Sequence, residues 1–133
     1  MRPDPLPDVV AYLAVEGAAD AIDWYGRVLG ARLVGEPILI GDGRVGHAEL
    51  LIGSSMVMLA DEFPDHGVFG PASLGGTTVS LVVQTADPDA VMAVALEAGA
   101  DGIRPVADTP HGTRSGWFVD PFGHRWNVTR KRG

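Results

Sequence analysis

Trp117–Asn127 reads WFVDPFGHRWN. Trp117, Phe118 and Val119 have strand character, and Asp120-Pro121-Phe122-Gly123 is a turn. Pro121 presets the φ that the second turn position wants, and Gly123 can take a positive φ without steric cost. Two strands joined by so short a turn pair as an antiparallel hairpin. Along the second strand side chains alternate, so His124, Trp126 and Val128 share one face, and Arg125, Asn127 and Thr129 share the other. One face is expected to bury under a helix. What the other face carries bears on function.

Working outward, the hairpin closes a pattern that occurs twice. Residues 8–15 read as a strand, and 18–29 as a helix with Ala21, Trp24, Tyr25, Val28 and Leu29 in one stripe, closed by Gly30. Strands are expected over 31–40, 47–52 and 56–60, with turns at Gly41-Asp42-Gly43 and Gly53-Ser54-Ser55. The segment 61–77, rich in glycine and proline and without a period, reads as a linker. The order then repeats. Residues 78–84 read as a strand, and 87–98 as a helix with Asp87 as N-cap, Pro88 at its first position and a stripe of Ala90, Val91, Val94, Ala95 and Ala98. A strand follows near 102–106, and then the hairpin. One offset of 69 residues relates Asp20 to Asp89, Gly30 to Gly99 and Met58 to Asn127. In the opening strands Val15 aligns with Val83, one residue shorter. The chain is thus expected to be a single domain over 1–133, built from modules 8–60 and 78–130. Each module has one helix for four strands, so two together form an α+β fold: tandem βαβββ modules making a curved, mostly antiparallel sheet around a cleft.

Bulk properties narrow the functions. A 46% apolar and 20% charged chain is globular, and a net charge of −7 argues against a nucleic-acid partner. The basic tail Arg130-Lys131-Arg132 reads as a solvated terminus. Without cysteine there is no disulfide, thiolate metal site or cysteine nucleophile. No apolar run approaches the roughly 20 residues of a membrane span. The opening MRPDPLPD lacks a signal-peptide core, so the expected location is the cytoplasm and no membrane partner is expected.

The stretches AIDWYGRVLGA (21–31) and DPFGHRW (120–126), with the duplicated element order, resemble the glyoxalase/bleomycin resistance/extradiol dioxygenase group, the vicinal oxygen chelate (VOC) superfamily. HAELLIG (47–53), MVMLAD (56–61) and SLGGTTVSL (73–81) resemble its phosphonate-operon, PhnB-like branch. The resemblance covers residues 8–130 and implies a homodimer, with the cleft formed within one chain or across two. In metal-using members, first and last strands of each module supply His, Glu or Gln ligands. Those positions fall here on Val10, Met58, Thr78 and Asn127, and none is a normal ligand for a divalent metal that prefers imidazole or carboxylate. No metal cofactor is therefore expected in the family position.

Other candidates come from the residues themselves. His47 and Glu49, at i and i+2 on a strand, share a face. They read as a general base with its orienting partner, as two ligands of a relocated metal, or as a solvent-facing polar pair. His124 is expected to cap the hairpin, while His66 and His111 lie in loops. The non-helical sheet face is expected to carry Tyr12, Met56, Met58, Thr78, Ser80 and Asn127, an apolar wall with a few neutral hydrogen-bonding groups that suits a small-molecule ligand or packs as a closed core. No phosphate loop or serine triad is present. The expected function is binding of a small apolar or aromatic molecule without metal, as drug-sequestering resistance members do. The alternatives are a metal-dependent lyase, isomerase or dioxygenase using His47 and Glu49, and a metal-free acid–base enzyme.

Overall fold

A computed structural model describes residues 2–131 of the chain. Arg132, in the basic tail singled out above, lies outside them. The chain divides into two compact units, the first ending at Leu74 and the second beginning at Gly75. The fold class is α+β, with a mixed sheet and a main helix in each unit.

In the first unit, β1 (Ala11–Val15) leads into α1 (Ala18–Leu29), whose C-terminal Gly30 takes φ 68°. Two short strands follow, β2 (Arg32–Leu33) and β3 (Ile38–Leu39), in place of the single strand expected over 31–40. Gly35, at φ 70°, breaks that run, and its left-handed backbone cannot continue a strand. The hairpin of β4 (Val45–Ile52) and β5 (Ser55–Asp61) completes the sheet, in the order β1-β5-β4-β2, with β3 also on β4. β1 runs parallel to β5, and β4 antiparallel to it. Side-chain alternation puts Leu13, Val15, Ala48, Leu50, Val57 and Leu59 on one face, buried together with Ala21, Trp24, Tyr25 and Val28 of α1. The opposite face carries Tyr12, His47, Glu49, Met56 and Met58.

The helix start explains a residue that carried no expected role. Gly17, at φ 89°, has no side chain to cap α1. Asp61, 9% exposed at the end of β5, supplies the cap. Its Oδ1 accepts from the amides of Gly17 (3.0 Å) and Ala18 (2.8 Å), and its Oδ2 from that of Val45 (2.7 Å). A carboxylate at a helix N-terminus satisfies orphan donors and complements the helix dipole.

The segment 61–77 is not a structureless linker. A helical turn spans Pro64–His66, Phe63 bridges to Val68, and α2 (Pro71–Leu74) packs near β1. The Glu62 carboxylate accepts from Gly70 N (2.7 Å) and Ser73 Oγ (2.9 Å). A Cβ on Gly70 would stand 2.9 Å from the Ala14 carbonyl oxygen, so glycine permits that close approach.

The second unit repeats the plan with β6 (Ser80–Thr85), α3 (Pro88–Glu97), β7 (Asp101–Asp108), β8 (Arg114–Val119) and β9 (Arg125–Arg130), in the order β6-β9-β8-β7. Asp87 caps α3, its Oδ1 accepting from Ala90 N at 3.1 Å. The buried stripe of α3 is Pro88, Met92 and Ala95, whereas Ala90 is exposed. The helix is apolar on several sides, so spacing alone left its rotation open. The opening hairpin forms as expected around Asp120, which is 3% exposed. Its Oδ1 accepts from the amides of Phe122 (2.9 Å) and His124 (3.0 Å), and its Oδ2 from the Trp126 indole (2.8 Å).

Strand register corrects the alignment of the opening strands. Ala11 pairs with Val57, and Leu81 with Trp126. With β5 and β9 related by 69 residues, β1 and β6 are related by 70 (81 − 11), so Val15 corresponds to Thr85 and not to Val83.

Candidate functional site

The non-helical face of the first sheet holds the most complete set of chemical groups. Met58, at the middle of β5, pairs with Tyr12 of β1 on one side and Glu49 of β4 on the other. Three side chains therefore stand in a row across three strands. His47, two residues before Glu49, faces the same way and closes the row from above.

These groups are joined by hydrogen bonds. Tyr12 Oη lies 2.8 Å from His47 Nδ1, with the rings 5.5 Å apart and tilted by 42°. His47 Nε2 lies 2.9 Å from Glu49 Oε2. Arg2 Nε approaches the other carboxylate oxygen, Glu49 Oε1, at 3.2 Å. The Glu49 side chain is 12% exposed and that of His47 31%. Tyr12 is 50% exposed, so its ring presents an apolar surface with a polar tip. Burial, and then the negative charge of Glu49, raise the Tyr12 pKa above its ordinary 10.0 and hold it as a phenol.

The two catalytic candidates of the sequence, His47 and Glu49, are thus in contact, and Tyr12, singled out only as a wall residue, belongs to the same chain of hydrogen bonds. Arg2 was missed because the proline-rich opening gave no strand or helix on which to place it. The pairing of Met58 with Glu49 would have been accessible from the β4–β5 turn, whose length fixes the register, whereas that with Tyr12 would not.

The remaining expected wall residues divide between the two units, Met56 in the first and Thr78, Ser80 and Asn127 in the second. Met56 is buried, at 5% exposed, while Met58 is part-exposed. Val10 precedes β1, and Thr78 lies in a bend before β6. Ser80 opens β6 opposite Arg125 and is exposed. Asn127 is buried between Val82 and Trp117, and its amide donates to the Gly116 carbonyl at 3.1 Å. The Arg125 guanidinium lies 4.9 Å from the Trp117 ring centre. A groove of about 380 Å³ runs between α3 and β7, lined in part by Met92, Leu96, Arg104 and Pro105, which sequence reasoning did not single out.

The family model described as the Glyoxalase/Bleomycin resistance protein/Dioxygenase superfamily matches residues 7–128. The chain belongs to this superfamily. An uncharacterized protein of Mycobacterium bovis is 38% identical over 125 residues, spanning 92% of this chain and 82% of the relative. The crystal structure of TioX from Micromonospora sp. ML1 has 31% identity and a TM-score of 0.69, covering 96% of this chain and 98% of TioX. A PhnB protein from Bacillus cereus, described as a putative 3-demethylubiquinone-9 3-methyltransferase, shares the fold at TM-score 0.71 and 20% identity, covering 94% of this chain and 100% of its own.

The four positions that the resemblance assigns to metal ligands carry residues that do not fit a metal, and by strand register Val10 corresponds to Ser80 and not to Thr78. Val10 and Met58 offer no imidazole or carboxylate, Thr78 only a hydroxyl, and the amide nitrogen of Asn127 is engaged with Gly116. Among the described residues no three His, Asp or Glu side chains converge to hold an ion.

Proposed function

We propose that this superfamily member binds a small, apolar or aromatic organic molecule on the sheet face of Tyr12 and Met58, without a metal in the family position. The observation that carries this reading is the replacement of the expected last-strand ligand by Met58, set beside the half-exposed ring of Tyr12. A thioether and an aromatic ring favour dispersion contacts with an organic ligand over coordination of a hard cation. The net charge of −7 favours a neutral or cationic molecule over an anion. Sequestration of such a molecule, in the manner of the resistance proteins that give the superfamily part of its description, is the role that follows.

Metal analysis of protein purified without chelator tests this. Substoichiometric metal, with unchanged ligand binding after chelation, is expected. About one equivalent of Ni, Zn, Fe or Mn per chain, lost on replacing His47, would instead establish a metal-dependent lyase, isomerase or dioxygenase. The Tyr12–His47–Glu49 hydrogen bonds favour one second reading, a metal-free acid–base enzyme. Turnover that survives chelators and disappears in Glu49→Gln would select it over binding alone.

A further inference from the structure

We infer that the Tyr12 oxygen meets its ligand as a hydrogen-bond acceptor and not as a donor, so the site selects molecules with an apolar body and a hydroxyl or N–H group. This rests on the apolar-ligand binding proposed above and adds the chemistry of the polar contact.

The inference follows from counting protons along the hydrogen-bonded chain. An ionised carboxylate is an acceptor only. Glu49 is ion-paired with Arg2 at Oε1 and accepts from His47 at Oε2, so in a neutral imidazole it is Nε2 that carries the hydrogen. Its Nδ1 then bears a lone pair. Tyr12 has one phenolic hydrogen and two neighbours for it, His47 Nδ1 at 2.8 Å and the Gly46 carbonyl at 3.3 Å. The shorter contact takes it. What Tyr12 offers outward is a lone pair of Oη. The elevated Tyr12 pKa is consistent with a phenol that keeps its hydrogen.

A ligand hydroxyl or N–H placed over Met58 can donate to that lone pair. An ether of the same shape cannot, and it sets two lone pairs against each other. One net hydrogen bond corresponds to a roughly three- to tenfold difference in affinity. Each member of the chain has a separate effect on this preference. Tyr12→Phe removes the acceptor. His47→Ala leaves the phenolic hydrogen only the longer Gly46 contact, from which it turns more readily to an ether. Glu49→Gln no longer dictates which imidazole nitrogen is protonated.

The test uses 2-naphthol and 2-methoxynaphthalene as probes, with affinities from calorimetry on the full chain. The wild type is expected to prefer naphthol roughly three- to tenfold. Tyr12→Phe is expected to bind the two alike, at the affinity of the methoxy compound or better, and His47→Ala to narrow the gap mainly by gaining affinity for the ether. A purely structural role for the network would weaken both probes together and leave the ratio unchanged, which would overturn the inference. Equal binding of both probes by the wild type would also overturn it while leaving apolar-ligand binding intact. If neither probe binds, the proposed binding function fails and the inference with it.

Discussion

Tyr12 and His47, 35 residues apart in sequence, meet at 2.8 Å across the first sheet although their strands are not neighbours. β5 lies between them, and the Tyr12 side chain crosses that strand to make the contact. The hydroxyl is thus positioned at the far edge of an apolar step.

The raised Tyr12 pKa has a measurable sign. Subtracting a Tyr12→Phe titration from that of the wild type, by phenolate absorbance, should give a midpoint above 10.0 for Tyr12. Glu49→Gln should lower that midpoint without restoring 10.0, because burial is the larger cause and remains. The folded state holds this proton more tightly than the unfolded chain, so the associated stability is complete below pH 10.0 and is lost as pH rises through the folded value. A midpoint unmoved by Glu49→Gln would contradict the Glu49 charge as a cause of the shift.

Asp61→Ala should destabilise the first unit by about 2–4 kcal/mol in urea unfolding, since three backbone amides lose a charged acceptor. Asp61→Asn, which keeps one carbonyl oxygen, should lose less. An exposed acid such as Asp65 makes a suitable control, and its replacement should change stability by less than about 0.5 kcal/mol.

Gly116→Ala should cost about 1–3 kcal/mol, by overpacking. A Cβ there would stand 2.9 Å from the Arg104 carbonyl oxygen, from Met92 Cε and from Val106 N. Met92 can yield, but the backbone of β7 cannot. The double variant Gly116→Ala with Met92→Ala should therefore recover little, which thermal unfolding can establish.

Arg114 grips Asp89 through two contacts of 2.8 Å and Asp108 through one of 3.2 Å. The hydrogen bonds from Arg114 hold the Asp89 carboxyl below its ordinary 3.8. Carboxyl NMR titration should return it toward 3.8 in Arg114→Gln, with a smaller displacement at high salt because the pair is exposed to solvent. Its stabilising effect is present above pH 3.8 and is lost as pH falls through the depressed value.

Periodicity and turn chemistry exposed much of this architecture. The α1 boundaries and its buried Trp24 and Tyr25 follow from a strongly sided stripe and a C-terminal glycine, and the last hairpin follows from Asp120 to Gly123. Where apolar residues run on several sides, as in α3, the buried face was not legible, and Met92 was missed. The His47–Glu49 contact was legible because two residues on one strand fix their own geometry. Tyr12 and Arg2 joined that pair through strand register and chain path, which depend on long-range pairing that local patterns do not encode. Segment 61–77 does contain the boundary between the units, but its internal order was not legible for a related reason. Its order comes from Glu62 reaching Gly70 and Ser73, a side-chain tie with no periodic signature.

The Asp61 cap also bears on the order in which the units acquire structure. The helix of the second unit carries its own cap, since Asp87 and Ala90 are three residues apart. The helix of the first unit waits for a carboxylate 44 residues from Gly17 and 43 from Ala18, which arrives only when β5 has docked beside β1. Closing so long a loop is entropically slow compared with a local turn. The same fold, written twice in one chain, thus has one half whose helix can nucleate alone and another whose helix is finished by its last strand. The kinetic expectation from where a single aspartate stands is a folding nucleus in the second unit, with the first completing afterward, which φ-values at Asp61 and Asp87 would check.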